Sequence, residues 1–141
     1  MIGRPLHPMF VHFPIALYLL GVLLTLGYLW RRNPDYERFA YWAFLLAWVA
    51  VAVAALAGLV DLGSLAPDDP RRAVINNHIT SGVALLIING LVLYFRFRWP
   101  DVLAGSRRWV YLALVVAGIV AVVLTGWLGG KLVYTLKVGI E

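Results

Sequence analysis

Four stretches without a single charged residue dominate this chain: 9–30, 39–60, 73–95 and 109–130. Each is long enough to cross a bilayer, because about 20 apolar residues span its roughly 30 Å hydrocarbon core. The segments between them are short, so consecutive helices run antiparallel. The expected fold is an all-α integral membrane protein, an up-down-up-down bundle of four transmembrane helices. The expected helices cover about 8–32, 34–62, 70–97 and 107–130 of a single domain 1–141, with a tail over 131–141 at the outer face. An even number of crossings returns the chain to its starting side.

Local signals sharpen these bounds. Asn33 precedes Pro34 as a capping residue before a first-turn proline, with Asp35 and Glu37 near the positive end of the helix dipole. Gly63 can end the second helix. Asp69 and Pro70 repeat the capping device for helix 3, and Ser106 is the expected cap of helix 4. Pro14 either kinks helix 1 or starts it. The first stretch is too long for a signal peptide and lacks a small-residue cleavage pattern, so it reads as a retained helix.

Composition excludes several functions. The chain is 62% hydrophobic, with a mean hydropathy of +0.84, leaving no room for a soluble domain of any size. It has no cysteine, which rules out disulfides, iron–sulfur clusters and covalent c-type haem attachment. The net charge of +5 does not signal nucleic-acid binding, because most cations sit in the short loops. Seven arginines fall in loops 1 and 3 (Arg31, Arg32, Arg38, Arg96, Arg98, Arg107, Arg108), against five cations on the other side (Arg4, Arg71, Arg72, Lys131, Lys137). The positive-inside rule then places loops 31–38 and 96–108 in the cytoplasm and both termini outside. Tyr28, Trp30, Tyr41, Trp42, Tyr94, Phe95, Trp99, Trp109 and Tyr111 crowd that same end as an interfacial belt. Close packing in lipid needs small residues; helix 2 offers Ala50, Ala52, Ala54, Ala55, Ala57 and Gly58, and helix 4 Ala117, Gly118, Ala121 and Gly126.

All three histidines lie near the opposite, outer end. His7 and His12 stand where helix 1 enters, and His78 lies two turns into the parallel helix 3. By helical rise, His78 is roughly 7 Å below Ala73 and His12 roughly 5 Å below Met9. From His78, residues Ser81, Gly82, Leu85 and Asn89 follow on one helical face. Intramembrane ligating side chains mark functional sites by default. One use is axial ligation of haem b by His12 and His78, with His7 an outer alternate for His12. Ser81 and Gly82 would make room for the macrocycle, with Leu85 against the ring edge. Asn76, Asn77, Ser81, Thr125 and Asp61 are candidate acceptors for the second imidazole N–H. Another use is a zinc or copper site built from His7, His12, His78 and Asp61, with Met9 as a soft ligand. Against both stands the plain reading: interfacial histidines that tolerate headgroups, a solvated Asp61, and Ser81 and Gly82 as simple packing residues.

The stretch Leu6-His7-Pro8-Met9-Phe10-Val11-His12-Phe13-Pro14-Ile15-Ala16-Leu17 resembles the opening signature of a bacterial membrane family known as domain of unknown function 2231. Gly58-Leu59-Val60-Asp61, His78 and the run Gly126-Trp127-Leu128-Gly129-Gly130-Lys131-Leu132-Val133-Tyr134 resemble its later signatures. The resemblance covers essentially the whole chain. It implies a four-helix inner-membrane protein. It also implies electron transfer, through association with Rieske-type and c-type cytochrome partners. Family members often carry a histidine and a glycine where Leu136 and Lys137 stand here. One site, not two, is therefore expected.

The reading that follows is a small, multi-pass, cytochrome b-like protein of the bacterial inner membrane. It would carry electrons near the periplasmic face, with haem held between helices 1 and 3. Asp61, Asn89, Trp127 and the C-terminal tail would line or cover the site, and quinone is a candidate redox partner. No nucleophile, paired acid and base, or phosphate loop points to an enzyme. The alternatives are a cofactor-free structural or accessory subunit of a larger membrane complex or homo-oligomer, and a copper- or zinc-binding membrane protein.

Overall fold

The structure, a computed structural model, describes residues 10–62 and 68–138, and of residues 61 and 62 the backbone alone. Its helices are α1 (His12–Arg31), α2 (Pro34–Leu62), α3 (Arg72–Arg98) and α4 (Arg108–Gly130). Each is long and apolar enough to cross a membrane. They form the expected up-down bundle of a multi-pass membrane protein. α1 packs mainly on α2 and α3 mainly on α4; α2 packs on α3, and α1 touches α4. Helices 1 and 3 are therefore diagonal partners.

The inward positions share one rhythm. On α1 they are Pro14, Tyr18, Gly21, Thr25 and Tyr28. On α2 they are Ala40, Phe44, Ala47, Val51 and Ala54. On α3 buried Ile75, Leu85, Asn89 and Val92 continue through half-buried His78 and Gly82. On α4 they are Tyr111, Val115, Gly118 and Val122, then half-buried Thr125 and Gly129. Spacings alternate between three and four, the 3.5-residue period of left-handed helix packing. The inward stripes mix aliphatic with small, aromatic and polar residues, while Leu23, Leu26, Leu56, Leu59, Ile87 and Val123 face outward. This inverts the soluble pattern, because lipid rather than water lies outside.

Hydrogen bonds and notches lock mid-height. The Tyr18 hydroxyl donates to the Val115 carbonyl at 3.1 Å. It occupies the notch left by Gly118, where a methyl group would overlap it. The Tyr18 and Phe44 rings meet edge to face, 5.0 Å between centres. α2 and α3 exchange two bonds: Asn89 Nδ2 donates to the Phe44 carbonyl at 3.1 Å, and Trp48 Nε1 to the Leu86 carbonyl at 3.0 Å.

The ends follow the capping signals with one exception. Asn33 Oδ1 accepts from the Asp35 N–H at 2.9 Å. Asp69 Oδ1 accepts from the Arg71 N–H at 2.8 Å, one turn before α3 starts at Arg72. The Arg71 side chain and backbone N–H hold the Asp69 carboxyl below the usual carboxylate range. α1 runs unbroken through Pro14, which sits in the first turn, where its missing N–H is not needed. Arg32 ends α1 in the left-handed conformation, φ 56°, and its N–H bonds the Tyr28 carbonyl. The exception is Ser106, which makes no capping bond. The turns over 101–105 bury Val102 and Leu103, and the Gly105 carbonyl takes the Arg108 N–H instead. Gly63 lies outside the described residues. Of the aromatics expected in an interfacial belt, Trp30, Trp42, Tyr94 and Trp109 are exposed, but Tyr28 and Tyr111 are core residues. α4 continues into a single π-turn, Lys131–Thr135, that buries Leu132.

Gly118→Ala is expected to destabilise the detergent-solubilised protein by about 1–3 kcal/mol, the usual range for overpacking. Gly82→Ala, with no described atom within 4 Å of the added methyl, is expected to be neutral or to stabilise by up to about 1 kcal/mol through helix propensity. Unfolding midpoints of the two variants check this contrast.

Candidate functional site

His78 sits on the inward stripe of α3 near the end of the bundle, half-buried. Its Nδ1 lies 3.1 Å from the Thr125 carbonyl on α4. A carbonyl only accepts, so Nδ1 carries the proton in this contact. Ser81 and Thr125 brace this contact. The Thr125 hydroxyl donates to Ser81 Oγ at 3.0 Å, and Ser81 Oγ donates to the His78 carbonyl at 2.8 Å. A carbonyl on one ring N–H fixes both the tautomer and the orientation of an imidazole. Of the acceptors considered from sequence that lie among the described residues, Thr125 is in place, through its backbone rather than its hydroxyl.

A methyl at Gly129 would sit 3.2 Å from His78 Cε1, so the bare helix backbone lets the ring lie against α4. At Gly82, one turn along α3, an added methyl would meet no described atom within 4 Å.

The other expected site residues are placed differently. His12 opens α1 and is exposed. At about 100° per residue it stands roughly 180° from inward-facing Gly21. Asn89 is fully buried, 11 residues along α3 from His78 and therefore roughly 16 Å deeper, with its amide committed to the Phe44 carbonyl. Trp127 is exposed, with Lys131 Nζ 5.9 Å from its ring centre. Asn76 and Asn77 are exposed. His7, Met9 and the Asp61 side chain lie outside the described residues. Among the described residues, no three His, Asp or Glu side chains come together as a metal-binding group.

A second polar cluster, at the opposite end, escaped the sequence reading. Glu37 Oε1 faces Arg96 Nε at 3.5 Å, with side chains only 6% and 16% exposed. Arg96 also donates to the Pro100 carbonyl, and the Leu103 N–H donates to Glu37. Thr25, whose hydroxyl bonds the Gly21 carbonyl at 2.8 Å, lies within hydrogen-bond reach of Tyr111. The sequence placed Glu37 with the helix dipole and Arg96 with the loop charges. The available signal was register: Glu37 lies three residues before inward Ala40, and Arg96 four after inward Val92.

Comparison with known proteins adds the family. The model of a family described as a predicted membrane protein (DUF2231) matches residues 3–141, and the chain belongs to that family. No curated protein and no solved structure matches the chain.

In nitrogen-resolved NMR, His78 is expected to carry a proton on Nδ1. An unprotonated Nδ1 would break the link to Thr125.

Proposed function

We propose that this protein is a haem b electron carrier of the bacterial inner membrane, with its site at the periplasmic end of the bundle and His78 as one axial ligand. The single observation that carries the reading is the intramembrane His78, oriented by the Thr125 carbonyl at Nδ1 and set against the glycine backbone of α4. Bound there, the group would supply one-electron chemistry. The chain's own contribution would be ligation, orientation through Thr125 and Ser81, and an apolar surround that tunes the potential.

The second ligand would come from the start of helix 1, as His12 or its outer alternate His7; His12 opens α1 and is exposed. A c-type cytochrome, a Rieske-type protein or a quinone would exchange electrons at that face.

The test is a reduced-minus-oxidised absorption spectrum of the detergent-purified protein from haem-replete cells, with haem quantified as its pyridine adduct. About one haem b per chain is expected, as a single site requires. His78→Ala and His12→Ala should each lose or shift the bands while the protein still inserts, and His7→Ala should keep them. A colourless wild-type protein would overturn the haem reading. Retained bands in His12→Ala with loss in His7→Ala would move the second ligand to His7.

A further inference from the structure

Where α3 hands over to α4, the loop folds around a pocket of about 210 Å³ lined by Arg98, Trp99, Asp101, Gly105, Ser106 and Arg107, among others. We propose that this pocket binds the phosphate of an anionic membrane phospholipid between the guanidinium groups of Arg98 and Arg107. The inference is independent of the haem reading and concerns the opposite end of the bundle.

Charge comes first. The Arg98 and Arg107 guanidinium carbons lie 5.5 and 4.6 Å from the centre of the Trp99 ring. One indole therefore gathers two cations at one pocket and holds both in place. Among the described residues neither makes an ion pair; those present join Arg38 to Asp35, Arg71 to Asp69 and Arg96 to Glu37. Two unpaired guanidiniums present the planar, multi-donor geometry that suits a phosphate. α4 also starts here with no side-chain cap and no acidic residue in its first turn, so its dipole adds to the same attraction.

Position selects the source of the phosphate. Arg98 is the last residue of one membrane-spanning helix, and Arg107 immediately precedes the next. Both therefore stand at headgroup depth. Phe97 and Trp109, beside them in the chain, are 77% and 66% exposed and present apolar surface to acyl chains. The loop is held rather than loose, since Arg96 bonds the Pro100 carbonyl and Val102 and Leu103 are buried. Asp101, exposed at the same pocket, opposes a bare anion but accepts hydrogen bonds from headgroup hydroxyls. A phosphodiester with a polyol headgroup, such as phosphatidylglycerol, satisfies both signs. Basic pockets between transmembrane helices are a recognised mode of anionic-lipid binding.

Arg108 provides the control. It stacks on Trp109 at 4.8 Å and does not line the pocket. The experiment uses the full-length protein, delipidated in detergent, with phosphatidylglycerol or phosphatidylcholine added, and reads bound lipid by native mass spectrometry. Phosphatidylglycerol is expected to bind at least about tenfold tighter than phosphatidylcholine, as charge-assisted bonds of this kind allow, and to weaken as salt rises. Arg98→Gln with Arg107→Gln should remove that preference, and Arg108→Gln should keep it. Equal binding of the two lipids, or an unchanged preference in the double variant, would overturn the proposal. So would an equal loss in Arg108→Gln, which would mean diffuse surface charge. Displacement of phosphatidylglycerol by an equal concentration of inorganic phosphate would reassign the pocket to a free anion.

Discussion

Lipid gives helices no hydrophobic reason to associate, and the whole architecture answers that constraint. A leucine facing lipid is as well solvated as one facing another helix, so cohesion must come from close approach and from polar groups that need partners. The Tyr18 hydroxyl supplies both at mid-height. It enters the notch at Gly118 and donates to the Val115 carbonyl. Its ring packs on Phe44, whose carbonyl receives the Asn89 amide. One layer thus ties all four helices together, and the three–four spacing carries that registration toward both ends.

From that layer the two ends diverge. Toward the arginine-rich loops the bundle closes. Val102 and Leu103 plug it, while Glu37 and Arg96 pair beneath the plug and fix the loop through Pro100 and Leu103. Breaking one partner of a buried pair leaves an uncompensated charge, so this end favours one loop conformation over others. Toward His78 the packing turns to glycine, serine and threonine, and Thr125 and Ser81 hold the imidazole against α4. One end of the bundle is thus sealed by apolar side chains over a buried ion pair, and the other is built from small polar groups around one histidine.

The spans were legible because the length of an apolar run is set by bilayer thickness, which does not depend on tertiary structure. The Asn33 cap was legible because its partner, Asp35, is two residues away. The stripe from His78 to Asn89 was legible because polar residues at helical spacing stand out against leucine and valine. Ser106 misled because its competitor, the Gly105 carbonyl, depends on how the loop turns to bury Val102. Tyr28 and Tyr111 misled because an aromatic near a helix end suits a headgroup belt and a core equally well, and only the neighbouring helix decides. The Glu37–Arg96 pair joins residues 59 positions apart, and local charge reasoning assigns each of them a satisfactory role alone.

His12 is the most instructive residue. It has the right chemistry, the right end of the helix and a depth that matches His78 when each helix is measured from its own apolar boundary. Boundaries are a poor ruler, because apolar runs start where charges stop, not where helices align. Contacts are the better ruler. Measured from the Tyr18–Phe44–Asn89–Gly118 layer, the same count of 11 positions leads to His78 on α3 and to its neighbour Gly129 on α4, while His12 lies six positions before Tyr18 and is exposed. Side chains that meet across diagonal helices must agree in register and in depth together, and an apolar boundary reports neither.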